Sequence, residues 1–155
     1  MPKKIALMGS DDILLAAKHL TDFELVAVTG DVAKALGDMD IPNKVLGSFI
    51  NENIQAQSMS DAALLSFSII QQVPEAKQKL HPRVQEKFSQ VMPGFLMNNL
   101  PQLALLVSAL DAANVDGAIV HNDVEPLTRT IALWCKARGK PWYHVPHAIY
   151  LDHEG

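Results

Sequence analysis

Histidines and carboxylates gather in two short stretches near the end of the chain. In IVHNDVEP, residues 119–126, an apolar run ends in His121, Asn122 and Asp123, with Glu125 directly before a proline. In WYHVPHA, residues 142–148, His144 and His147 flank Val145 and Pro146. Imidazole is the side chain best suited to proton transfer near neutral pH. Asn, Asp and His also supply donors and acceptors within a small space, which suits the hydroxyls of a sugar or polyol. Asp123 has the residue type of a helix cap ahead of Pro126, so capping accounts for one carboxylate and leaves His121 and Asn122 over. His147 follows the strand end and is expected to face a cleft as a candidate general base. Chelation by His144 and His147 together would require the chain to turn at Pro146. Without a cysteine partner or a helical H-E-x-x-H pattern, no metal site is expected. His19 and His81 lack polar company and read as surface or cap histidines.

The elements that must position these residues follow from apolar periodicity. Lys4 to Met8 reads as a strand ending at Gly9, and Ile13 to Leu20 as a helix capped by Asp11 or Asp12. Glu24 to Thr29 is a second strand stopping at Gly30 and Asp31, which completes a βαβ unit with parallel pairing. Residues 32–53 give mixed signals, with a short strand somewhere in Lys44 to Phe49. Ser60 is expected to cap a helix through Leu64, Phe67 and Ile70, and the proline-bounded pieces from Pro74 to Met92 are expected as short helices or turns. A cap at Asn98 or Asn99, followed by Pro101, starts a helix to about Ala113 that is apolar nearly all round and so should be deeply buried. Val115 to Val120 is then a strand, Pro126 opens a helix ended by Gly139, and Pro141 to Val145 is a last strand.

This is βαβ at both ends with helices between, an α/β, Rossmann-like three-layer domain with a mainly parallel sheet and a helical middle segment. Ligands of such sheets bind beyond the carboxyl ends of the strands. One rim should therefore carry Gly9-Ser10-Asp11, Thr29-Gly30-Asp31 and His121-Asn122-Asp123, joined by His144 to His147. Gly9, Ser10, Asp31, His121, Asn122 and His144 are the expected ligand-binding residues. His147 and Asp123 are the expected catalytic ones.

Composition narrows the function. At 155 residues, 48% apolar and 19% charged, the chain suffices for one domain, 1–155, with a core. A net charge of −4 with interspersed signs offers no basic stripe, so nucleic acid is not an expected partner. No segment reaches the ~20 apolar residues that span a bilayer. The single cysteine, Cys135, lies on the apolar stripe of a helix and reads as an inert core residue in a reducing cytoplasm. The Gly9 turn, with Asp31 about twenty residues on, imitates part of the dinucleotide fingerprint, but only one of the three glycines is present. Asp11 and Asp12 would repel phosphates, and there is no GxxxxGK[ST]. No cofactor is expected.

The stretch VDGAIVHNDVEPLTRTIALWCKARGKPWYHVPHAIY, residues 115–150, resembles the last βαβ unit in N-terminal domains of GT-B-type enzymes of cell-surface carbohydrate synthesis. One branch, the UDP-N-acetylglucosamine 2-epimerases, has a similar unit to which His121, Asp123, Gly139, Pro141, His144 and Val145 correspond. That resemblance makes Asp123 an acid or base candidate, and Pro146 stands where this branch has a glutamate. The other branch, CDP-glycerol glycerophosphotransferase-like and capsule polysaccharide transferases, has a histidine after a strand that activates an acceptor hydroxyl, matched here by His147 but not by the glycine that follows it. The resemblance implies the acceptor-side, N-terminal half of a cytoplasmic two-domain transferase, silent by itself, whose second domain binds the nucleotide donor. Its ligand would be a sugar, polyol or sugar phosphate, and peripheral membrane association of the full-length protein and a homodimer enter as further expectations. A stand-alone binding or regulatory module for a sugar phosphate or nucleotide is the alternative. KIALMGSDDILLAAKHL and FELVAVTGD also look like a formyltransferase opening, but His81-Pro82, the HP-type pair this would need, falls in a helical region.

Overall fold

The six residues KKIALM form a strand with Ala6 and Leu7 both buried, so side chains of opposite direction are covered at once. That is the burial expected of a central strand in a parallel sheet. The computed structural model describes residues 2–9, 11–121 and 125–145, and its contacts divide the chain into two units, Met1–Ile50 with Ala109–Gly155, and Asn51–Ser108.

In the first unit the elements run β1 (Lys3–Met8), α1 (Asp11–Ala17), β2 (Phe23–Ala27), α2 (Gly30–Asp38), β3 (Asn43–Val45), a 3-10 turn (Leu46–Phe49), the end of α5 (Leu100–Ala113), β4 (Gly117–Val120), α6 (Pro126–Ala137) and β5 (Trp142–His144). The sheet order is β3-β2-β1-β4-β5 and every pairing is parallel. On one face Leu7, Leu25 and Ala27 pack with Ile13, Leu14 and Ala17 of α1 and with Val32 and Leu36 of α2. Ala6, Val26, Ala118 and Val120 point the other way and are also buried. Right-handed crossovers put α6 on that second face, where it packs on β4 and buries Ile131, Trp134 and Cys135. The chain is therefore a Rossmann-like α/β protein with helices on both faces of a parallel sheet, as its pattern led us to expect.

Details of the pattern are corrected. The mixed stretch after Thr29 contains α2, whose first turn is capped by Thr29 Oγ1 accepting from Val32 N at 3.4 Å. The N-cap residue of the helix from Pro126 is Glu125, whose side chain makes no cap hydrogen bond; Asp123, the expected cap, lies outside the described residues. Proline at the first helical position fixes the start of the helix and makes the residue just before it the cap.

In the second unit α3 (Glu52–Gln78) and α4 (Pro82–Asn98) are followed by the start of α5. The cap of α3 is Asn51, whose Oδ1 accepts from Ile54 N at 2.9 Å, and Ser60 lies exposed inside the helix. Asparagine is among the strongest caps, and Glu52 in the first turn adds a favourable charge. Pro74 and Pro93 both sit inside helices rather than ending them. His81 is the cap of α4, its Nδ1 accepting from Arg83 N at 3.4 Å, and His19 is exposed. Asn99 closes α4, while its carbonyl accepts from Leu103 N of α5. The expectation that α5 is buried all round fails: Leu106, Ala109, Leu110 and Ala113 are buried, but Gln102, Asp111 and Ala112 are exposed. Among the described residues no helix is long and apolar enough to cross a membrane.

The two faces of α6 give a direct test. Ile131 is fully buried and Leu133, two residues on, is 56% exposed. Ile131→Ala should cost about 2–5 kcal/mol in urea denaturation, as large-to-small core changes do. Leu133→Ala should stay within about 0.5 kcal/mol of the parent, as surface changes do. Equal losses at both positions would contradict the placement of α6.

Candidate functional site

The site begins with a matter of register. Met8 of β1 pairs with Val120 of β4, so the residues that follow them, Gly9 and His121, leave the sheet side by side. A Cβ built on Gly9 would lie 2.7 Å from His121 Cβ and 2.5 Å from Ile13 Cδ1. The isoleucine methyl is the far end of a flexible side chain and can turn away, whereas His121 Cβ is fixed to the backbone. Glycine is therefore required at position 9 by the histidine beside it.

His121 is held at several atoms. Its backbone N–H donates to Met8 O at 3.1 Å, and its ring Nδ1 lies 3.3 Å from the same oxygen. A carbonyl can only accept, so the Nδ1 side of the ring carries the proton in this arrangement. The other nitrogen, Nε2, is then the side of the ring turned to Glu125, whose Oε1 is 3.6 Å away. Behind the histidine, His144 Nε2 donates to His121 O at 3.2 Å, and Val145 N donates to Val120 O at 2.9 Å. These bonds tie the carboxyl ends of β1, β4 and β5 together.

Between β1, β4 and the start of α2 lies a crevice of about 460 Å³ lined by Met8, Gly9, Leu14, Thr29, Asp31, Val32, Ala35 and His121. It sits where the sheet order reverses, with β2 and β3 to one side of β1 and β4 and β5 to the other. Ligands of open α/β sheets bind at such a switch point, and the volume is within the common range for small-molecule sites. The apolar groups form its floor, and Thr29, Asp31 and His121 bring hydroxyl, carboxylate and imidazole to it.

Of the residues expected at the rim, the structure brings Gly9, Asp31 and His121 into one crevice. His144 is not among the lining residues; it is exposed on β5 and acts on the site through the His121 carbonyl. Ser10, Asn122, Asp123 and His147 lie outside the described residues. Sequence reasoning missed Glu125 as the partner of His121, although the four-residue spacing was visible. Thr29, expected on the rim, also lines the crevice, but the floor made by Met8, Leu14, Val32 and Ala35 was missed. No group of His, Cys, Asp and Glu able to hold a metal occurs among the described residues.

Cys135 takes no part in the crevice. It is fully buried, and burial pushes its thiol up to about 11, an effect that the nearby Lys140 charge only partly opposes. A thiol so far from ionisation is a poor nucleophile near neutral pH. Two outcomes follow from this geometry. At pH 8 an aromatic disulfide reagent should label Cys135 only as fast as the chain unfolds, and labelling within seconds of the native protein would contradict its burial. Gly9→Ala should displace His121, moving its imidazole NMR resonances and costing about 1–3 kcal/mol, the usual penalty of overpacking; unchanged resonances would remove the steric argument. Against known proteins, no family model, no curated protein and no solved structure matches the chain.

Proposed function

We propose that the chain is the acceptor-side, N-terminal domain of a glycosyl- or glycerophospho-transferase of cell-surface polysaccharide synthesis. In this reading the crevice at the ends of β1 and β4 receives a sugar or polyol acceptor, and a second domain of the same protein presents the nucleotide-activated donor. His147 takes the proton of the attacking hydroxyl while its oxygen bonds to the transferred group and the nucleotide leaves. His121 and Asp31 hold and orient the acceptor's other hydroxyls. Asp123 serves beside them as a second acid or base.

The observation that carries the reading is the crevice itself: a concave site at the switch point of a parallel sheet, with a histidine locked in one orientation by Met8 O. A positioned imidazole beside a carboxylate, over an apolar floor, is a natural receptor for the two kinds of surface a sugar ring presents. The resemblance of residues 115–150 to the acceptor domains of GT-B-type enzymes supplies the reaction class.

A saturating acceptor, at about a hundred times its dissociation constant, stabilises the folded chain by about 2.7 kcal/mol. For a protein of this size that is a rise in Tm of roughly 5–10 °C. We expect such a rise with glycerol or an amino sugar for the parent chain, and its loss in His121→Ala measured from that variant's own baseline. In the full-length enzyme His147→Ala should abolish turnover while leaving the melting curve unchanged. Parent-like shifts in the first variant would sink the crevice, and parent-like rates in the second would sink the base.

A further inference from the structure

We infer that the crevice is built to take an uncharged vicinal diol, such as a free sugar ring or an unphosphorylated nucleoside presents, and to reject a phosphate. The inference rests on the binding reading above and narrows it to one chemical class.

The argument is electrostatic. Asp31 is the one residue with a permanent formal charge among the described lining residues, and no lysine or arginine joins it. Among the described lining residues, a phosphate entering the crevice would meet a carboxylate with no lysine or arginine to offset it. The helix that begins there gives little help. Thr29 already takes the amide of Val32, and Asp31 in the first turn of α2 already complements the positive end of the helix dipole. The neighbouring turn is no better for an anion. Asp11 and Asp12 are the first two residues of α1, directly after the turn that follows β1, where sheets of this kind commonly receive a pyrophosphate. The side of His121 that carries Nε2 is turned to Glu125, so the histidine too is matched with negative charge from the protein.

The same groups suit hydroxyls. A carboxylate accepts from two donors at once, and hydroxyls on adjacent carbons offer two donors side by side. Leu14, Val32 and Ala35 present an apolar surface next to Asp31, on which the carbon face of a ring can rest. A volume of about 460 Å³ admits a monosaccharide or a nucleoside. Asp31 is exposed, so changing it leaves the core intact and its charge can be tested separately from folding.

Calorimetric titration of the whole chain with methyl α-glucopyranoside, uridine, 2′-deoxyuridine, uridine monophosphate and glucose 1-phosphate decides the matter. We expect one of the two neutral diols to bind, which identifies the source of the diol. Its phosphorylated counterpart should bind about tenfold or more weakly. If uridine is the ligand, 2′-deoxyuridine should lose binding by a similar factor. Asp31→Asn should weaken the neutral diol about tenfold and bring the phosphate closer to it in affinity. Phosphates binding as tightly as the neutral diols, or an Asp31→Asn chain with parent affinity, would overturn the diol preference and leave the crevice standing as a site. Absence of heat with all five compounds would overturn both this inference and the binding reading beneath it.

Discussion

Strand β1 is hydrogen-bonded to β2 on one side and to β4 on the other, in both cases parallel. That double pairing fixes the geometry of everything near the crevice. A one-residue slip of β4 would turn Ala118 and Val120, both buried, toward the opposite face of the sheet. With the register set by burial, Met8 and Val120 end together, and His121 meets Gly9 and, across a sequence separation of 113, the Met8 carbonyl. The crevice is therefore a consequence of sheet register, made by residues that the core has already committed to their positions. His144 and Val145 extend the same ladder to the next strand and support the histidine from behind.

The opposite end of the sheet is occupied by bonds that serve the fold. Asp116 accepts from Lys4 N at 2.8 Å and returns its own amide to Lys4 O, while Lys4 Nζ donates to Ala113 O and lies over the Phe49 ring. Three helices return the chain to that end by one device. After α2, α5 and α6 stand Asp40, Asn114 and Gly139, all with positive φ, at 56°, 51° and 63°. Each is followed by an amide that bonds back into the helix: Ile41 to Leu36 O, Val115 to Leu110 O, and Lys140 to Cys135 O. Only glycine adopts this backbone without cost, and Asn and Asp tolerate it better than other residues. Trp134 adds a tether between helices, its Nε1 donating to Asp111 Oδ1 at 3.0 Å, with Arg138 and Lys140 against its ring.

How much of this could be read from the chain depends on the range of the interaction that decides it. Local signals were legible: the apolar runs of β1 and β4, Pro126 opening α6, Gly139 closing it and the burial of Cys135. Where two local signals competed, the weaker one misled. Asn51 had the better claim on α3 than Ser60, and Pro74 did not end that helix, because packing of a long helix can outweigh a lost backbone bond. Helix α2 was present in the spacing of Val32 and Leu36 but was obscured by Gly37 and the short elements that follow. The crevice could be anticipated only as a rim. Its floor comes from β1, α1 and α2, its wall from β4, and no window of sequence contains both.

The glycine after β1 illustrates why a partial motif can mislead even when every residue in it has a purpose. In a dinucleotide site that glycine removes a side chain so that the backbone can approach a pyrophosphate. Here the space left by the missing Cβ is already occupied, by His121 at 2.7 Å and Ile13 at 2.5 Å. The residue type is the same, but the close approach is protein to protein. Such a glycine has no need of the second and third glycines of the fingerprint, and none follow it in the turn. It does need a strand end beside it whose first residue projects toward the rim, which is what the β1–β4 register provides. Gly9 and His121 are thus best understood as one unit, with the glycine making room and the histidine giving the rim its chemistry.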